Sequence, residues 1–386
     1  MNKYLFIILI LSVLFGCKQN IIKSEESKTI KKDYSSFENG LNYNDSTNTG
    51  QSINERMEFY KVPGVSVAIF DDGKIIWQKG YGLLDTDTEK ETNSNTKFQV
   101  ASISKAVTSL GIIKLVEDHN LDIDKDINQY LKNWKIDYAK FSDTSKVTIR
   151  KLLSHTGGIN LSGFKGYSKS EKIPTTVQVL NGQGNTAKIK LDTIAGTKFS
   201  YSGGGYTILQ LLVENVTDLS FQEYFKNKVF EPLKMKNSTF NQFPYDNVSS
   251  AHDKAGISHK EDWLVYPELS AAGLWSTPSD LSIFCLAIEN SYDYNGGFIS
   301  NKNAREMLKP VIKWSAGEFG LGLMLKGTGQ NLFYFHTGSN PGGFRSIMVD
   351  FYKRKTGIVI LTNSDNGGAL YNEILLSFMK LNNIEL

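Results

Sequence analysis

Both ends of this chain carry short runs of β-branched and aromatic residues, while the stretch between them is spaced like helix. Near the start, Val65 to Phe70 and Lys74 to Tyr81 flank Asp71-Asp72-Gly73, and two such runs about an Asp-Gly turn predict a β-hairpin. Near the finish, Asn331 to Phe335, Phe344 to Asp350 and Gly357 to Thr362 are separated by turn residues and predict three more antiparallel strands. In between, Val107, Leu110, Ile113 to Leu115, Tyr206 to Val213, Phe221 to Val229 and Leu281 to Ile288 recur at helical intervals. One sheet is therefore expected to be assembled from the two ends of the chain. The architecture this implies is α/β: an antiparallel sheet flanked by helices, with a mostly helical lobe inserted over roughly 120–270, all inside a domain spanning 52–386.

The first residues follow a different rule. Lys3 precedes an apolar run from Leu5 to Phe15, and polar Lys18-Gln19-Asn20 begins directly after Cys17. That run is shorter than the roughly 20 residues a membrane-spanning helix needs, so it reads as an export signal. Gly16 before Cys17 resembles the lipobox of bacterial lipoproteins, in which the cysteine is acylated and becomes the mature N-terminus. The resemblance implies a signal peptide over 1–17, a lipid anchor at Cys17 and an exported protein held at the bacterial cell envelope. Residues 18–51, crowded with Lys, Ser, Asn, Asp and Gly, are expected as a flexible tether. Cys285 lies in an apolar helical pattern and reads as a small buried hydrophobe, so no intramolecular disulfide is expected once Cys17 is acylated. A formal charge of +3, from 43 Lys plus Arg against 40 Asp plus Glu, is too small and too evenly spread for a nucleic-acid partner.

Ser102 and Lys105 stand between the apolar Phe98-Gln99-Val100-Ala101 and an amphipathic pattern running towards Val116. The spacing Ser-x-x-Lys is weak by itself, since Ser94/Lys97, Ser162/Lys165 and Ser377/Lys380 share it. At a helix start, though, the dipole favours negative charge on the serine oxygen, and a lysine three residues on falls on the same helical face. Taken alone, Ser102 reads more simply as an N-cap. Tyr201-Ser202-Gly203-Gly204-Gly205 leads into a helix from Thr207, and its glycines permit close backbone approach. A Tyr201 phenol beside a lysine ammonium would serve as general base or relay. His336-Thr337-Gly338-Ser339 follows the run Leu332 to Phe335, as the end of an edge or active-site strand. His336 there would polarise or bind an anionic group, and the backbone near Gly338 and Ser339 would join the Ser102 N–H as an oxyanion donor.

Together and in this order, the three segments resemble the serine β-lactamase and penicillin-binding-protein superfamily, in its class C β-lactamase-like branch. Val62-Pro63-Gly64, Leu152 to Gly158, Gly273 to Leu281 and Pro341 to Phe344 are similar to that branch as well, so the resemblance runs from about Val62 to near the C-terminus. It implies that Ser102 is acylated, that Lys105 and Tyr201 share proton transfer, and that His336-Thr337-Gly338 stands where the family has Lys/His-Thr/Ser-Gly. Two departures matter. Gly203 replaces the asparagine of the family's Tyr-x-Asn, which contacts the substrate's acyl side chain, and His336 replaces the lysine of the β-lactamases themselves.

The expected activity is a serine hydrolase forming an acyl-enzyme on a small-molecule or peptide substrate: a D-peptide, amide or ester, in the manner of a D-alanyl-D-alanine carboxypeptidase or esterase. A class C-type β-lactamase is the alternative within the family. A lipid-anchored binding or sensor protein for cell-wall fragments, without turnover, is the alternative outside enzymes. No Gly-x-Ser-x-Gly elbow occurs, which excludes an α/β-hydrolase. His119, His155, His252, His259 and His336 show no metal-ligand spacing, so neither metal nor cofactor is expected. His155, in Ser154-His155-Thr156, reads as structural because Lys105 and Tyr201 already fill the base's role. A monomer is expected.

Overall fold

The computed structural model describes Tyr34 and residues 38–42, 50–139, 141 and 145–385. The expected signal peptide with Cys17, and most of the 18–51 segment, lie outside the described residues.

Helix α1 (Ile53–Tyr60) leads into strands β1 (Gly64–Asp71), β2 (Lys74–Asp85) and β3 (Lys90–Glu91). The later strands are β6 (Ile312–Trp314), β7 (Gly317–Phe319), β8 (Met324–Lys326), β9 (Phe333–Asn340), β10 (Phe344–Phe351) and β11 (Thr356–Thr362). Among the described residues these nine form one sheet in the order β3-β2-β1-β11-β10-β9-β8-β7-β6. The chain's two ends meet at the antiparallel pair β1–β11, where Val65 faces Thr362 and Asp71 faces Thr356. A separate pair, β4 (Phe98–Gln99) with β5 (Trp275–Ser276), ties the approach to Ser102 to a distant segment.

Sequence and burial agree along these strands. β1 and β11 read as nearly unbroken apolar runs and are buried along almost their whole length, because helices cover both faces. β2, nearer the edge, carries Lys74, Gln78 and Lys79 to solvent. On one face lie α2 (Ile103–Asp118), α3 (Ile149–Leu153), α4 (Gly203–Thr217), α5 (Leu269–Ala272) and α6 (Pro278–Asp293), sharing a core with Phe70, Tyr334, Met348, Val359 and Leu361. On the other face α1 and α7 (Gly367–Leu381) pack on Val65, Val67, Ile347, Val349, Ile358 and Ile360. Each fully buried side chain of this size contributes roughly 1.5–3 kcal/mol.

Five expectations change. The second hairpin strand runs on to Asp85, and β6 to β8 extend the sheet beyond the three late strands foreseen. α2 is buried around nearly its whole circumference rather than along one stripe. Its polar residues survive there by bonding inward: Thr108 Oγ1 donates to Ser270 O at 3.0 Å and Ser109 Oγ to Lys105 O at 2.8 Å. The glycines after Tyr201 form the first turn of α4, because Ser202 caps that helix by accepting the Gly205 N–H at 2.8 Å. His336 lies within β9 and not at an edge strand's end: β10 flanks it on one side, while β8 pairs with β9 only from Phe333 to Phe335. From His336 onward the second edge of β9 is left to the α2 start.

Candidate active site

Ala101 sits at φ +49 immediately before Ser102, a left-handed corner that only a constrained non-glycine residue adopts. The corner is pinned by Ser104, whose backbone N–H and hydroxyl both donate to Ala101 O, at 2.9 and 2.5 Å. Ser102 then takes the N-cap position of α2, yet its side chain makes no capping bond. The hydroxyl is thereby left for Lys105, whose Nζ lies 3.1 Å from Ser102 Oγ. A second contact orients the amine: Nζ donates to the Ala271 carbonyl of α5 at 2.8 Å. Lys105 is fully enclosed, and burial without a carboxylate partner pulls its pKa from 10.5 down to about 7. Near neutral pH a large share of it is free amine, able to accept the serine proton.

Tyr201 lies over the same amine, with Lys105 Nζ 4.9 Å from its ring centroid. Burial raises the phenol's pKa far above the usual tyrosine range, and the Ser102 side chain, hydrogen-bonded to it, offsets only part of that rise. Tyr201 is therefore held as a neutral phenol, which can pass a proton on but is not a phenolate base. The ring of His336 stands 6.4 Å from that of Tyr201. Burial, with Lys105 beside it, lowers His336 to about 3, so it is a neutral imidazole. Its Nδ1 donates to Thr337 O at 2.8 Å, which leaves the lone pair on Nε2, and Nε2 is buried without a partner. His336, foreseen to polarise or bind an anionic group, therefore presents a neutral ring with its acceptor at Nε2.

Gly338 explains how close β9 comes. A Cβ there would stand 2.2 Å from Val100 O and 3.1 Å from the Ala101 Cβ, so only glycine lets the strand lie against the serine corner. Thr337 is partly exposed and Ser339 exposed, on the free edge beyond the last β8 pairing. Asn340 closes the strand by donating to Gln99 Oε1 at 2.9 Å and Ala272 O at 3.3 Å. One network thus joins β9, α5 and the segment before Ser102. At Gly203, where the family has asparagine, a Cβ would stand 2.6 Å from Phe164 Cε2 and 3.2 Å from Ser162 O. The 160–166 segment has settled into the room an asparagine side chain would need.

His155, read from sequence as structural, is in the cluster. It is fully buried, its ring lies 4.2 Å from that of Tyr201, and its Nδ1 accepts the Ser202 N–H at 3.1 Å. The available signal was its place in the segment Leu152 to Gly158, similar to the class C-like branch; nothing local told that the segment returns to Tyr201.

A sheet from both chain ends, a buried helix lying on it and a serine-lysine pair at that helix's start define the class: this chain belongs to the Beta-lactamase family, whose sequence model matches residues 50–375. Protein flp of Staphylococcus aureus is 31% identical over 223 residues, which are 56% of this chain and 42% of that protein. The chain thus matches less than half the length of that relative. Teichoic acid D-alanine hydrolase of Staphylococcus aureus is 25% identical over 319 residues, covering 80% of this chain and 74% of that one. Among solved structures, a penicillin binding protein from Bacillus halodurans superposes with a TM-score of 0.69 at 21% identity, over 85% of this chain and 98% of that one. A D-amino acid amidase from Ochrobactrum anthropi does so with 0.69 at 21% identity, over 85% and 97%. Those two likenesses show the fold alone.

Proposed function

We propose that this protein is a serine hydrolase that removes D-alanyl or related D-amino-acyl groups from esters or amides through an acyl-enzyme on Ser102. The observation that carries the reading is the 3.1 Å approach of an enclosed Lys105 amine to an uncapped Ser102 hydroxyl. In this reading the Ser102 oxygen attacks the acyl carbonyl while its proton passes to the Lys105 amine. Tyr201 relays a proton to the leaving oxygen or nitrogen, and the acyl-serine ester is then cleaved by water. The backbone N–H groups of Ser102 and of the free β9 edge at Ser339 receive the oxyanion. The acyl class is favoured by the likeness to teichoic acid D-alanine hydrolase. It is favoured over a β-lactam by the loss of the family asparagine at Gly203, where Phe164 stands 2.6 Å from the place of a Cβ. The anchor at Cys17, the 18–51 tether and envelope localisation belong to the same proposal, and the mass of the mature N-terminus tests them.

The deciding experiment treats wild type and Ser102→Ala with a fluorophosphonate and a fluorescent penicillin, reads intact mass, and runs a D-alanyl ester, a D-Ala-D-Ala peptide and nitrocefin as substrates. Ser102-dependent phosphonylation and D-alanyl ester cleavage are expected. No Ser102-dependent adduct with either reagent would overturn the hydrolase, and nitrocefin turnover outpacing the ester would reverse the ranking of substrates.

A further inference from the structure

Tyr201 gets little support from its own element, lying in the coil one residue ahead of the Ser202 cap of α4. Its hold comes from elsewhere in the chain. His155 Nδ1 accepts the Ser202 N–H at 3.1 Å, and the His155 carbonyl accepts the Ser200 N–H at 2.8 Å. The residues on both sides of Tyr201 are thus tied to a single residue, whose ring also lies against the phenol at 4.2 Å with 38° between planes.

His155 reaches this position through a left-handed backbone, φ +56, in the turn that leaves α3. A residue present only to fill space would need neither that corner nor an acceptor aimed at Ser202. Because Nδ1 accepts, the ring proton sits on Nε2. The titratable groups about the ring are Tyr201, Tyr206 at 5.2 Å, Lys105 and His336; Phe199 and Phe319 also lie against it. Burial, reinforced by Lys105 and His336, keeps the ring neutral.

We infer that His155 is a positioning residue: through its Nδ1 acceptor, its backbone carbonyl and its ring face it holds the Tyr201 phenol against Ser102 and Lys105, and so governs proton relay without touching substrate. The inference rests on Ser102 being the nucleophile, as proposed above, and is indifferent to the natural acyl donor.

The test measures the rate of Ser102 phosphonylation by a fluorophosphonate across neutral pH, separating reagent binding from the bond-forming step. His155→Gly relaxes the backbone but removes ring and acceptor. His155→Asn keeps an oxygen near the place of Nδ1 and tolerates the left-handed corner. Slowing of about thirtyfold in the bond-forming step is expected for His155→Gly, with reagent binding unchanged and the acid limb moved to higher pH as water reaches Lys105. His155→Asn should recover to within about threefold of wild type, and in a Tyr201→Phe background His155→Gly should cost less than about threefold more. Equal costs in both backgrounds, or a wild-type rate in His155→Gly, would overturn the inference while leaving the hydrolase standing. If His155→Gly does not fold, a folded His155→Asn decides: near-wild-type labelling supports the inference, and a thirtyfold loss refutes it. Absence of any Ser102 adduct in wild type removes the hydrolase reading and this inference together.

Discussion

The face of the sheet that carries α2 and α6 holds two buried polar clusters side by side, and they answer burial in opposite ways. His336 on β9 belongs to the first. Tyr334, one inward position earlier and roughly 7 Å along the strand, belongs to the second, opposite Asp350 on β10. In the first cluster burial strips protons from bases, bringing Lys105 to about 7 and His336 to about 3. In the second it keeps protons on acids: Asp350 is pushed well above the carboxylate range by burial and by the neighbouring Glu289. Lys355 lies 3.9 Å from Glu289 at the rim and only partly offsets the charge. Water exclusion makes a reactive amine where a serine oxygen stands 3.1 Å away. Where a second carboxyl stands nearby, the same exclusion keeps a carboxyl protonated.

The largest effect that separates the clusters is on acylation. Lys105→Met should slow Ser102 phosphonylation about a thousandfold or more, whereas Asp350→Asn should leave it within about twofold of wild type. Comparable losses from both substitutions would mean that the second cluster feeds the first.

Stability should move the other way. Lys105 has a folded pKa below its unfolded value, so its contribution is full above 10.5 and is lost as pH falls to about 7. Lys105→Met should therefore gain stability at pH 7, by up to on the order of 4 kcal/mol, and lose the wild-type dependence across that window in denaturant melts. A destabilised Lys105→Met would show that the bonds to Ser102 and Ala271 outweigh desolvation.

The smallest effect belongs to the acids. Asp350 has a raised folded pKa, so its contribution is present at acid pH and is lost as pH rises out of the ordinary carboxylate range. Asp350→Asn, which keeps a donor towards Glu289, should change stability at pH 7 by about 1 kcal/mol and flatten the decline seen on raising pH. An unchanged slope would assign that decline to another buried acid, with Glu268, pushed up to about 7, the first to replace.

What could be read from the sequence divides along the same line. The strands at both ends were legible because β1 and β11 are nearly unbroken apolar runs and β10 carries Ile347, Met348 and Val349 between aromatic residues, and the spacing of Ser102 and Lys105 on α2 is a local property. β6 to β8 escaped notice because three-residue strands such as Ile312–Trp314 and Met324–Lys326 hold too little pattern. Burial is not local, so nothing in the sequence marked Glu268 or Asp350 as enclosed acids or His336 as a neutral ring. The place of His155 beside Tyr201 was not legible, because it depends on a left-handed corner and on a chain segment more than forty positions away.

Cys285, on α6 above the second cluster, has no exposed surface, and its thiol is raised well above the usual cysteine range. With Cys17 replaced by serine, a thiol reagent would find its target only when α6 lifts from the sheet. The protein then contains its own clock for that opening, which can be run alongside Ser102 labelling to ask whether the serine corner and the acid-lined interior come apart together or one at a time.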